Sequence, residues 1–286
     1  MGGHAKPDSN YPVQTMIKVP TFVKGLDDIL KGGLPEGRMS AVMGGPGTGK
    51  TMLGLEICYR HAKSGKPSLM LTFEESDAIM RGNALSLGWD LAALEKNGKL
   101  AVIHPTVDPY AFSAGDFDIQ GLIAVLEGKA REIGACLIVV DALDALLQIF
   151  EDPIRQKHES NILARWLGEH KMTSLLTLKL EQSHQALEKY GFIDYLSDCL
   201  LYLDQRVSGQ VTTRRLRVIK YRGAEFSGNE HPFVITPQGF VLMPISETTL
   251  DHKPLGSMVS SGTDQLDDIL GGGFHQGSTI LVGGPT

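Results

Sequence analysis

Gly44-Gly45-Pro46-Gly47-Thr48-Gly49-Lys50-Thr51, read as GGPGTGKT, is the stretch that decides the fold. It satisfies G-x-x-x-x-G-K-[ST], the pattern of a loop that cradles phosphates between a strand and a helix. Its flanks agree. The apolar run Met39 to Met43 reads as a buried strand, and a helical stretch follows the loop. Glycines let the backbone wrap the phosphates so that N–H groups and the helix N-terminus point at them. Lys50 would reach the β and γ oxygens, and the Thr51 hydroxyl would ligate magnesium. Gly45, Pro46, Gly47, Thr48, Gly49, Lys50, Thr51 and Met52 are therefore the expected contacts of a nucleoside triphosphate bound with Mg2+ and hydrolysed.

Outward from the loop, apolar runs alternate with segments of helical period, the pattern of a mostly parallel sheet covered on both faces. The class is α/β. Strands are expected at Met39 to Met43, Ser68 to Phe73, Leu100 to His104, Cys136 to Val140 and Thr173 to Leu178. The best-patterned helix is Ile119 to Ile133, with Ile119, Leu122, Ile123, Leu126, Ala130 and Ile133 on one stripe. After Cys199 the texture becomes β-rich, through Leu200 to Asp204 and Thr212 to Tyr221, which predicts an antiparallel extension of the sheet.

Two carboxylate positions belong with the loop. CLIVVD ends an apolar strand in Asp141, placed to hold a magnesium-bound water beside the phosphates. LMLTFEE puts Glu74 and Glu75 at the C-terminal end of the next strand, the edge where open α/β sheets bind ligands. Adjacent strand residues point to opposite faces, so one of the pair would polarise the attacking water, with Glu74 favoured. Glu75 is also a candidate on the metal side. The competing reading is that the pair only caps the helix beginning near Asp77.

The 286 residues, 42% of them hydrophobic, allow one full-sized core and a remainder. With 27 basic against 33 acidic residues the net charge is -6, which argues against nucleic acid as a partner. Cys58, Cys136 and Cys199 form no C-x-x-C pair, which fits a reducing, cytoplasmic setting. The apolar runs are too short to span a bilayer, so no membrane partner is expected. Histidine and cysteine spacings point to no transition-metal site. Trp89 and Trp166 read as core.

GLDDILKGGLPEG at Gly25 to Gly37 returns as QLDDILGGGFHQG at Gln265 to Gly277, followed by STILVGGPT. This predicts a flexible tail over residues 1–20, an ATPase domain over 21–249, and a linker plus the truncated start of a second similar domain over 250–286.

TTRRLRVIKYRG at Thr212 to Gly223 holds five of the 27 basic residues. It is open to three readings: a charged edge strand, a nucleic-acid contact through Arg214, Arg215 and Arg217, or cations that reach a neighbouring subunit's phosphates.

Taken in order, VKGLDDILKGGLPEGR, GGPGTGKT, LTFEES, LIVVDAL, KYRG and GNEHPFVIT resemble the KaiC family of RecA-like P-loop ATPases over nearly the whole chain. The likeness is to the first of that family's two tandem domains. It implies ATP and Mg2+ as cofactors, with Lys50 and Thr51 on phosphate and metal, Asp141 behind the metal, and Glu74 and Glu75 near the lytic water. It also implies that Lys220, Tyr221 and Arg222 line a neighbouring subunit's nucleotide, and that Ser86 touches nucleotide. A homo-hexameric ring with slow hydrolysis, and clock or signalling proteins as partners, follow from the same resemblance. Autophosphorylated Ser/Thr sites of the family lie in its second domain, so kinase activity would belong to a longer chain. LLTLKL at Leu175 to Leu180 departs from the family in lacking an acidic or polar strand end. A DNA-dependent ATPase of the same superfamily and a non-hydrolysing nucleotide switch are the alternatives. The acidic segment Asp108 to Asp118, a candidate pore lining, argues against the first of these and the glutamate pair against the second.

Overall fold

A computed structural model describes residues 16–105, 119–150, 152–180, 191–245 and 256–284. The chain divides into two compact units, residues 1–245 and 246–286.

The first unit opens with β1 (Lys18–Val19), α1 (Leu26–Ile29) and β2 (Leu34–Pro35). Asp27 organises this entry. Its carboxylate accepts the Thr21 amide at 2.8 Å, the Thr21 hydroxyl at 2.7 Å and the Phe22 amide at 2.9 Å, which fixes the turn that lets α1 drop Leu26, Ile29 and Leu30 into the core. β1 pairs with β2, so residues 18 and 19, expected in a tail, belong to the fold.

β3 (Met39–Gly44), α2 (Lys50–Lys63), β4 (Ser68–Thr72), α3 (Asp77–Ser86), α4 (Leu91–Lys96), β5 (Leu100–Ile103), α5 (Ile119–Ile133) and β6 (Leu137–Asp141) follow. Then come α6 (Leu143–Leu147), α7 (Pro153–Glu169), β7 (Thr173–Lys179), α8 (Gly191–Leu196), β8 (Cys199–Ser208), β9 (Val211–Tyr221), β10 (Glu230–Thr236) and β11 (Gly239–Leu242). The expected strands and the helix Ile119 to Ile133 are all present, within a residue or so at their ends. The segment Asp108 to Asp118 lies outside the described residues.

β3 to β11 make one nine-stranded sheet in the order β11-β10-β9-β8-β3-β7-β6-β4-β5. β8, β3, β7, β6, β4 and β5 run parallel, so their C-terminal ends share one edge. β9, β10 and β11 extend it antiparallel, as the texture after Cys199 predicts. Alternation along the strands splits the core. Val42, Met70, Val139 and Leu175 pack beneath α1 to α4, while Ala41, Leu69, Leu71, Ile138, Val140 and Leu176 pack beneath α5 to α7. Trp89 and Trp166 are both buried.

The second unit holds β12 (Met258–Val259), α9 (Asp264–Ile269) and β13 (Phe274–His275), the β-α-β order of the first unit's entry. Asp267 takes the role of Asp27, accepting from the Ser260 hydroxyl and the Ser261 amide. The sequence repeat is thus a structural repeat. The division falls at Ile245, four residues before the expected boundary.

Candidate nucleotide site

The loop joins β3 to α2 at the C-terminal edge of the sheet. Its tip, Pro46 and Gly47, is exposed, and Gly49 closes it in left-handed backbone with φ of 100°. Thr48 is buried and donates to the Gly45 carbonyl at 2.9 Å, while Lys50 Nζ donates to the same oxygen at 2.9 Å. Burial holds the Lys50 ammonium below the usual lysine range, opposed by the charges of Asp144, Asp141 and Glu74. Met52, in the first turn of α2, is half-buried and packs on the core.

Asp141 ends β6 beside the loop. Its Oδ1 accepts from Thr51 Oγ1 at 3.1 Å and from Thr177 Oγ1 at 2.5 Å. The carboxylate is 1% exposed, and its Oδ2 is buried with no partner among the described residues. Burial pushes this carboxyl up to about 6, against the pull of the two threonine hydroxyls. A buried carboxylate oxygen left over beside a threonine hydroxyl is the arrangement a divalent cation and its water shell complete. The donor set is oxygen only, which suits Mg2+. Thr51 and Asp141, both expected here, are brought together.

Glu74 and Glu75 lie two and three residues past β4, which ends at Thr72, so strand alternation does not separate them. Local contacts do. Glu75 Oε2 accepts from Asn83 Nδ2 at 3.2 Å, and its backbone closes on the Thr72 hydroxyl. Glu74 is exposed, and its charge acts on Lys50, Asp141 and Asp144. The helix cap after the pair is Ser76, whose hydroxyl accepts the Ile79 amide at 3.4 Å, so neither glutamate serves as one. Ser86 ends α3, exposed, with its hydroxyl on the Asn83 carbonyl at 2.7 Å.

Lys220, Tyr221 and Arg222 sit at the other edge of the sheet. The Arg222 amide donates to Asp198 O at 2.8 Å, and the Asp198 amide donates to Met39 O at 2.7 Å, which places Arg222 at the start of β3. The loop is at the end of β3, about 16 Å away at strand rise. Arg222 and Arg38 flank the Asp198 carboxylate at 3.7 and 3.6 Å, and Lys220 Nζ donates to the Asp194 carbonyl. The Tyr221 side chain is 3% exposed with its hydroxyl on Gly33 O at 2.6 Å, so it serves the fold rather than a ligand of its own protomer. Arg215, upstream on β9, and Arg206, on β8, both pair with Glu230, at 2.6 and 2.7 Å. Those cations are spent within the sheet.

Three residues at the site escaped sequence reasoning. Thr177 and Lys179 lie at the end of β7, directly beside β3, and Asp144 lies in the first turn of α6 with Oδ1 accepting the Lys179 amide at 2.9 Å. A polar residue interrupting LLTLKL two places before the strand end was the available signal for Thr177.

A parallel sheet whose C-terminal edge carries a Gly-Lys-Thr loop with an Asp on the next strand but one defines a RecA-type P-loop nucleotide-binding protein. The family described as "ATPase: KaiC" matches residues 19–247, and the chain belongs to that family. It is 36% identical over 273 residues to the circadian clock protein KaiC2 of Synechocystis sp., covering 94% of this chain and 48% of the relative. It is 33% identical over 281 residues to the circadian clock oscillator protein KaiC of Picosynechococcus sp., covering 97% and 54%. The chain thus spans about half the length of these curated relatives. The crystal structure of a KaiC-like protein from Pyrococcus horikoshii superimposes with a TM-score of 0.71 at 26% identity, over 80% of this chain and all of that one.

Proposed function

We propose that this chain is an ATP-hydrolysing module that works as part of a KaiC-type ring, with slow turnover coupled to a conformational change in signalling or timekeeping. The observation that carries the reading is the shared Asp141 Oδ1 between Thr51 and Thr177, with Oδ2 left over in a buried site beside Lys50. Thr51 would ligate Mg2+ directly and Asp141 through a water. When bound, the metal offsets charge on the β and γ phosphates. Gly45 to Gly49 present backbone N–H groups to the phosphates, Lys50 leaves the Gly45 carbonyl for the β and γ oxygens, and Glu74 accepts the proton of the attacking water.

Lys220 and Arg222 cannot reach the loop of their own chain from the opposite edge of the sheet. Their service to a nucleotide therefore requires a second subunit, which supports a ring of identical chains with ATP at each interface. The free cysteines agree with a reducing, cytoplasmic setting. The second unit, Ser246–Thr286, repeats the entry of the first, which supports reading it as part of a second domain of the same type, and any Ser/Thr autokinase activity would belong to a longer protein.

The test is phosphate release with Mg2+ and ATP alongside mass in solution. Wild-type protein is expected to assemble into a hexamer and release phosphate, and Lys50→Ala to lower turnover by about 10²-fold or more. Nucleotide binding without phosphate release, unchanged by Glu74→Gln with Glu75→Gln, would make the chain a switch.

A further inference from the structure

The end of β7 carries a feature that the phosphate loop, Asp141 and the glutamate pair do not use. Gly44, the last residue of β3, lies in register with Lys179 on the neighbouring parallel strand, and the Leu180 amide donates to the Gly44 carbonyl at 3.1 Å. Lys179 is therefore stitched to the residue from which the phosphate loop departs.

Its direction follows from the strand. Thr177 points to the α2 face, where its hydroxyl meets Asp141 and its methyl faces Gly54 of α2. Lys179 is two residues on and shares that face. It is exposed, while Met172 to Leu178 are all buried. Among the described residues, no hydrogen bond or ion pair engages its ammonium.

Two further observations place the charge at the mouth of the loop. Asp144, 3% exposed, fixes the end of β7 by accepting the Lys179 amide at 2.9 Å. The Lys179 charge also opposes protonation of Lys50, adding to the effect of burial, so the two ammonium groups share one electrostatic environment. Lys179 and Lys50 thus stand on one sheet edge, where Glu74, Asp141 and Asp144 also act on the Lys50 charge.

We propose that Lys179 is a second cis-acting cation of the nucleotide site, contacting the terminal phosphate of the bound triphosphate, with Asp144 as the positioning residue that holds the strand end. Lys50 would meet the β and γ oxygens from the loop side, and Lys179 would approach the γ-phosphate from the sheet side. A contact of this kind reports whether the γ-phosphate is present and transmits its loss through β7 to Thr177 and Asp141. This rests on the nucleotide reading above and refines it, by assigning triphosphate-over-diphosphate discrimination to a residue of the same chain.

The experiment compares binding of ADP and of a non-hydrolysable β,γ-imido ATP analogue, both with Mg2+, to wild-type protein, Lys179→Met and Lys179→Arg. Lys179→Met is expected to weaken the triphosphate analogue about tenfold, leave ADP within about twofold, and keep the wild-type melting temperature, because the side chain is exposed. Lys179→Arg is expected to retain most of the discrimination. Asp144→Asn should weaken the analogue more than ADP, with a smaller ratio. Equal loss for both nucleotides, or no loss in Lys179→Met while wild type binds and hydrolyses ATP, overturns the role of Lys179 and leaves the ATPase reading intact. Failure of wild type to bind either nucleotide overturns both.

Discussion

Glu56, in the middle of α2, accepts the backbone N–H of Phe240 at 2.7 Å and so ties the helix that follows the phosphate loop to the last strand of the sheet. The carboxylate is fully buried, and it also takes Arg60 Nε at 2.6 Å. Burial raises its proton affinity, and the Phe240 amide and Arg60 counter that. Phe240 and Ile235 in turn stand against Gly49, where a Cβ would come within 2.9 and 2.8 Å of them. The antiparallel extension therefore braces the phosphate loop from behind.

Gly239, with φ of 107°, is the point of closest approach, since a Cβ there would lie 2.5 Å from Glu56 Oε1. Gly239→Ala is expected to cost about 2 kcal/mol or more through backbone strain and displacement of that carboxylate. Glu56→Ala should cost about 2 to 4 kcal/mol by leaving the Phe240 amide buried and unpaired. Urea unfolding of both variants checks this, and wild-type stability in either would show that the brace contributes nothing.

The Asp141 carboxyl gives the nucleotide-free protein a specific pH response. In the folded state it titrates at about 6, whereas an aspartate in the unfolded chain titrates near 4. The folded state thus binds this proton more tightly, so its contribution to stability is largest in acid and is lost as pH rises from about 4 through about 6. Two units correspond to about 3 kcal/mol, an upper figure for a buried group. Thermal melting without Mg2+ should show that loss across pH 4 to 6.5, and Asp141→Asn should flatten it. Parallel profiles for the two proteins would place the proton elsewhere.

Thr177 lies far from the loop in sequence yet donates to the same Asp141 oxygen as Thr51. Thr177→Val keeps the shape and removes the donor, leaving the carboxylate less able to stay ionised without a cation. The Mg2+ dependence of ATP turnover should shift to higher metal concentration by about tenfold, the usual scale for an outer ligand of a metal site. Melting temperature without metal should also fall by a few degrees, because a buried carboxylate loses a donor, so the Mg2+ titrations are compared where both proteins are folded. An unaltered Mg2+ titration would reduce Thr177 to a packing residue.

Arg222 stands at the edge of the sheet opposite its own loop. Arg222→Ala and Lys50→Ala proteins, each inactive alone, are expected to regain turnover when mixed, because some interfaces then combine an intact loop with an intact Arg222. Mixed rings with no recovery, at equal assembly, would return Lys220 and Arg222 to a solvated strand end held by Asp194 and Asp198.

The α/β class, the strands, the helix Ile119 to Ile133, the loop and Asp141 were legible in the sequence, because each is written in local spacing: strand and helix periodicity, or a glycine pattern with one chemical use. The repeat at Gln265 was legible for the same reason. Tertiary structure decided the rest. Only the strand order places β7 between the loop strand and Asp141, which brings Thr177, Lys179 and Asp144 to the site from segments that carry no motif. The antiparallel hairpin of β8 and β9 likewise carries Lys220 and Arg222 back to the start of β3, away from their own phosphate loop. Local sequence sets what each segment becomes, whereas which segments become neighbours depends on how two buried faces and one continuous ladder of backbone hydrogen bonds are satisfied together.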